Sequence, residues 1–156
     1  MRIVRGFSFV ELMASVAIVG LLASIAIPLA ETSATRSKEV QLRRALREIR
    51  GAIDEHKMAA STGRIATTPQ ASGYPPTLQD LVIGVDDLAR PGSKLYFLRR
   101  IPRDPFHPDA QSPAAETWGK RSFASPPDSP REGDDVFDVY SLSNARALNG
   151  TMYADW

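Results

Sequence analysis

The chain has 156 residues, 43% of them apolar, and 19 basic side chains against 18 acidic ones leave a net charge of +1. That balance gives no electrostatic reason to expect nucleic acid or a strongly acidic partner. Cysteine is absent, which excludes disulfides, thiolate metal sites and cysteine nucleophiles, so an exported domain would hold itself by packing or by a bound ion.

Arg2 and Arg5 form a short basic leader that ends in Gly6. An apolar run follows at once, from Phe7 to Ala30, broken by one carboxylate, Glu11. As a helix, the uncharged stretch from Leu12 to Ala30 is ~28 Å long, close to the hydrocarbon thickness of a bilayer. The basic leader is expected on the cytoplasmic side. A carboxylate in an apolar segment is costly and usually has a partner or a function, although Glu11 is near enough to the end of the span to stay hydrated among headgroups. Pro28 removes a backbone donor and crowds the preceding turn, which predicts a helix kink around Ser24–Pro28. An ordinary secretory signal peptide is the competing reading, with cleavage after small residues beyond the apolar region. Glu11 and the unbroken pattern past Ala30 oppose it.

From Ser37 to Ala60 the chain again reads as a helix. Leu42, Leu46, Ile49 and Ile53 make one apolar stripe at helical spacing. Arg36, Lys38, Arg43, Arg44, Arg47 and Arg50 read as a solvated face. With no strong breaker but Pro28, the two segments predict one helix from Phe7 to Ala60, half in a membrane and half on a domain, stopped at Gly63. Residues 61–76 are a Ser-, Thr-, Gly- and Pro-rich loop. Thr77 is the expected N-cap of a short helix. Residues 94–101 are apolar and aromatic, Asp104-Pro105 reads as a turn, and Val136–Ser141 alternates as a strand. Ser125–Asp135 is a surface loop, and Asn149-Gly150 is a two-residue turn. The fold class is therefore α+β: a long N-terminal helix packed on a small antiparallel sheet of about three or four strands. Tyr96, Phe97, Phe123, Phe137 and Tyr140 are expected to fill the core with the helix stripe.

Gly6, Phe7, Glu11 and Pro28, in that spacing, resemble the N-terminal signal of type IV pilins and type II secretion pseudopilins. The second half is similar to the protein G branch of the pseudopilins. It carries Tyr74-Pro75 before a short helix, then Ile101-Pro-Arg-Asp-Pro105, Trp118-Gly119, Asp138-Val-Tyr-Ser141 and Asp155-Trp156, with residues 85–93 unmatched. The resemblance implies a leader, 1–6, cut by a prepilin peptidase after Gly6, with N-methylation of Phe7. It implies a transmembrane and polymerisation helix over 7–30 and a periplasmic pilin-like domain over 31–156. Glu11 would pair with the N-terminal amine of a neighbouring copy. The implied setting is the bacterial inner membrane, single-pass. The implied partners are further copies in a helical homopolymer, minor pseudopilins and an inner-membrane assembly platform. The function implied is a structural subunit of a periplasmic pseudopilus that helps export folded proteins; the alternative is a type IV pilus subunit for adhesion, motility or DNA uptake.

Enzyme signatures are missing. There is no phosphate-binding glycine loop, zinc spacing or nucleophile elbow, and His56 and His107 lie far apart without a base or nucleophile pattern around them. The resemblance also implies one calcium in the loop before the terminal Trp, held by aspartates and carbonyls. Here that loop offers Asn144, Asn149 and a single carboxylate, Asp155, and adds Arg146. Asp134, Asp135 or Asp138 would have to approach from the other side. Calcium prefers six to eight oxygens, several of them anionic, so no cofactor is expected.

Overall fold

The computed structural model describes residues 8–156. Ser8 opens a long helix, α1 (Phe9–Ser61). Its carbonyl accepts the Leu12 N–H at 3.1 Å and its hydroxyl accepts the Val10 N–H at 3.3 Å, which satisfies donors that every helix start leaves open. At the other end the Gly63 N–H bonds the Ala60 carbonyl and the Arg64 N–H bonds the Ala59 carbonyl. These are the paired bonds of a Schellman motif. They require the left-handed backbone of Gly63, φ +72°, which a Cβ would strain. The helix stop expected at Gly63 is found there.

The chain divides into two compact units, one ending at Ser37 and the other comprising Lys38–Trp156. In the first, the large apolar side chains of α1 are exposed, among them Phe9, Leu12, Val16, Leu21, Ile25 and Leu29. Among the described residues α1 is the one helix long and apolar enough to cross a membrane. Its hydroxyls find acceptors within the helix. Ser15 donates to the Glu11 carbonyl at 2.7 Å, Ser24 to that of Leu21 at 2.7 Å and Thr32 to that of Pro28 at 2.8 Å. Such back-bonds satisfy the hydroxyl protons without an outside partner.

The second unit is built on the helix stripe. Leu42, Leu46, Ile49 and Ile53 are 0–2% exposed and pack with Leu78, Leu81, Leu98, Trp118, Val139 and Tyr153. Each fully buried Leu or Ile contributes roughly 1.5–3 kcal/mol. The stripe thus fixes which face of α1 meets the rest of the unit. A short helix, α2 (Asp80–Ile83), leads into β1 (Val85–Asp86), which pairs antiparallel with β2 (Lys94–Leu95). β3 (Trp118–Arg121) pairs antiparallel with β4 (Asp138–Ser141), placing Gly119 opposite Tyr140. The Tyr140 ring lies where a Cβ on residue 119 would be, 2.4 Å from its Cζ, so that position needs glycine.

Four expectations are corrected. The single sheet of three or four strands is two separate two-stranded sheets; the unit's loops are tied by side-chain bonds where longer ladders were expected. Thr77 is not the N-cap of α2. The Asp80 carboxylate instead accepts the Thr77 N–H at 2.9 Å and its hydroxyl at 2.8 Å, so the acid serves the turn before the helix. Tyr96 and Phe123 are 66% and 60% exposed. In the extended segment after β2, Phe97 turns to the core, while the Tyr96 ring covers Gly84. Arg50 is not solvated but half-buried and bonded to the C-terminal region, as described below.

Polar groups stitch the loops. Asp104, 3% exposed, accepts the Ser141 hydroxyl at 2.5 Å and the Phe106 N–H at 2.8 Å, so the expected turn is also bolted to β4. Asp87 is equally buried and takes a two-point contact from Arg64, Nη2 at 2.5 Å and Nε at 3.2 Å. That guanidinium holds the Asp87 carboxyl below its usual range. His56, 4% exposed, uses Nδ1 toward the Gly73 carbonyl at 3.1 Å and tilts against Phe97. Since a carbonyl only accepts, Nδ1 carries the proton. Burial pushes the His56 pKa down from 6.5, only partly opposed by this bond and by Asp80.

Candidate functional site

Two regions hold the residues singled out in the sequence. Gly6 and Phe7 lie outside the described residues. Glu11 lies in the first turn of α1 and is exposed. The open N–H groups of a helix start give that turn a partial positive charge, so a carboxylate is favoured there. Pro28 is internal to α1. Having no N–H, it leaves the Ser24 carbonyl without its helical donor. The first region is thus an apolar helical surface carrying one acid at its start and one missing backbone bond near residue 28.

The second region is the C-terminal loop. The chain leaves β4, forms a bridge between Arg146 and Met152, and ends in a 3₁₀ turn over Tyr153–Asp155. The turn has three residues where two were expected: the Ala147 N–H bonds the Thr151 carbonyl at 2.8 Å and the Gly150 N–H bonds the Ala147 carbonyl at 2.9 Å, so Leu148, Asn149 and Gly150 make it. Only Gly150, at φ +88°, has the positive φ that a two-residue Asn-Gly turn needs at both positions. Asn149 Oδ1 accepts both the N–H of Thr151, at 3.1 Å, and its hydroxyl, at 2.8 Å. Asn144, Asn149 and Asp155 are all exposed.

The side chains of α1 that pin this loop were missed in the sequence. Glu39, 6% exposed, accepts the Leu148 N–H at 2.7 Å and the Tyr153 hydroxyl at 3.2 Å. Burial, reinforced by that bond to Glu39, pushes the Tyr153 phenol above its ordinary range. Arg50 donates to Asp138 at 2.7 Å, to the Val139 carbonyl at 3.0 Å and to the Trp156 carbonyl at 2.8 Å. The Arg43 guanidinium stacks 4.1 Å from the Trp156 ring, a cation–π arrangement. Trp156 Nε1 donates to the Thr151 hydroxyl at 2.7 Å, and Tyr153 stacks on Phe106. A signal for Glu39 was available: it stands three residues before Leu42, in register with the buried stripe. Arg50 carries the same kind of signal, three residues before Ile53, but its partners, about 90 residues or more away in the chain, leave none.

Residues 1–27 match the family model described as the prokaryotic N-terminal methylation motif. The chain is also 30% identical over 138 residues to type II secretion system core protein G of Klebsiella pneumoniae, covering 85% of this chain and 91% of that protein. No solved structure gives a significant match. A likeness running through nearly the whole of both chains, with the methylation motif at its start and the long helix and small antiparallel sheets beneath it, places this chain in the family of type II secretion system core protein G, the major pseudopilins.

Proposed function

We propose that this chain is a structural, non-enzymatic subunit of a periplasmic pseudopilus, which helps a type II secretion system export folded proteins across the outer membrane. The observation that carries the reading is the identity to core protein G over 85% of the chain. A prepilin peptidase removes residues 1–6, and the new N-terminal Phe7 is methylated; the match to the methylation motif over residues 1–27 supports this. The apolar helix over 7–30 then anchors the chain once in the inner membrane. The domain over 31–156 faces the periplasm. Copies polymerise through the apolar helix. Glu11 of one copy pairs with the N-terminal ammonium of the next, which removes the cost of a lone carboxylate among apolar side chains. Minor pseudopilins and an inner-membrane platform complete the assembly, and Pro28 gives the helix a place to bend.

The test is genetic and chemical together. Deleting the gene should abolish secretion of folded enzymes, and the intact gene should restore it. Mass spectrometry of the mature chain should find N-methyl-Phe7 at its start. A normal secretome in the deletion strain with loss of surface pili would move the reading to a type IV pilus subunit. A mature N-terminus beyond Ala26 would replace the prepilin reading with an ordinary signal peptide.

A further inference from the structure

We propose that the C-terminal loop closes without calcium, through Glu39 and Arg146 of the chain itself. The proposal rests on the family reading only for the calcium it is compared with. Three observations carry it. First, two of the loop's oxygens are already in use. Asn149 Oδ1 accepts twice from Thr151, and the Gly150 carbonyl accepts from Arg146 Nη1 at 3.0 Å. Second, two of the three carboxylates that would have to approach, Asp138 and Asp135, are held elsewhere. Asp138 takes Arg50 at 2.7 Å and Arg121 at 3.5 Å, and Asp135 accepts the Phe123 N–H at 2.8 Å. Among the described residues no three His, Asp or Glu side chains converge as metal ligands. Third, the surroundings carry the wrong charge. Asn149 and Asp155 line a cavity of about 530 Å³ together with Arg43, Arg47, Arg50 and Arg146. Four guanidiniums around one carboxylate repel a divalent cation.

Each end of the loop instead meets an organic charge of matching sign. The buried Glu39 carboxylate receives the loop's donors, the Leu148 N–H and the Tyr153 hydroxyl. The Arg146 guanidinium satisfies the Gly150 carbonyl on the other side of the turn. A metal ion would gather oxygens alone, whereas this pair answers both N–H and C=O groups and binds the loop to α1 in the same step.

The experiment uses the full chain in detergent, read by tryptophan fluorescence on heating and by limited proteolysis with mass mapping. In EDTA and in millimolar calcium the wild-type melting temperature should agree within about a degree, because a site filled to a hundred times its dissociation constant would raise it visibly. Equilibrium dialysis should find no stoichiometric calcium. Glu39→Ala should speed cleavage within residues 142–152 at least tenfold, with α1 still protected. Should Glu39→Ala fail to fold, the exposed Arg146→Ala carries the same proteolysis readout. A wild-type rise of several degrees with calcium, or one calcium bound per chain, overturns the proposal. So does a loop as protected in both variants as in the wild type. Secretion is not the readout, so failure here is distinct from failure of the pseudopilus reading.

Discussion

Glu11 and His56 show how one side chain's surroundings set what it does. Glu11 is exposed in the first turn of α1, so Glu11→Ala removes a charge from an apolar segment and leaves membrane insertion intact. On the proposed pairing, assembly should suffer, because that pairing needs the Glu11 carboxylate as acceptor for a neighbour's ammonium. Filament yield in cells that lack the wild-type copy is the measurement, and normal filaments would refute the pairing. His56 is buried with its pKa pushed below 6.5. The unfolded chain therefore takes up the proton first as pH falls. Its share of stability is complete above pH 6.5, shrinks as pH drops below that value, and is fully lost below the folded-state pKa. The melting temperature should decline through this window, and His56→Gln, which keeps a donor toward Gly73, should flatten the decline. An equal slope in both proteins would show that another group titrates there. The sequence placed His56 beside the stripe, but its partner, the Gly73 carbonyl, was visible only in the fold.

At the scale of elements, the continuous run of α1 and its stop at Gly63 were legible because their signals are local. The stripe at positions 42, 46, 49 and 53 depends on helical period alone, and the stop depends on one glycine. Gly63→Ala puts a Cβ into left-handed backbone where no neighbouring atom is in the way, so the cost is conformational, about 1 kcal/mol. Chemical denaturation should show that loss without a change in slope; no loss would mean the Schellman bonds are dispensable. The strands were harder to read. β1 and β2 have two residues each, too few for alternation to register. β4 was signalled by the alternation over residues 136–141, β3 was not read as a strand, and the ladder covers only four residues of each. Val136 and Phe137, just before β4, are held by backbone bonds to the Pro75 and Arg121 carbonyls, and β4 itself by Asp104 and Arg50, contacts that leave no periodic trace.

For the whole molecule, the division at Ser37 and Lys38 predicts that a fragment beginning near residue 31 folds as a soluble monomer. Its stripe, and Trp118, Val139 and Tyr153 against it, lie within Lys38–Trp156. Leu46→Asp in that fragment places an unpaired charge where the wild-type side chain is 2% exposed, at a cost on the order of 4 kcal/mol. An unchanged melting temperature would mean that the stripe is not the core face. By itself the sequence determined the membrane-length helix, its acid and proline, the buried stripe and the family, since each follows from spacing along a few turns of chain. Only the tertiary structure decided that Arg50 is a clamp and not a solvated cation, that Tyr96 and Phe123 stay outside, and that Glu39 reaches the C-terminal loop. The reason is physical: these depend on which distant groups the packed stripe brings within hydrogen-bond reach, and no local pattern encodes a contact more than a hundred residues long, such as Glu39 to Leu148.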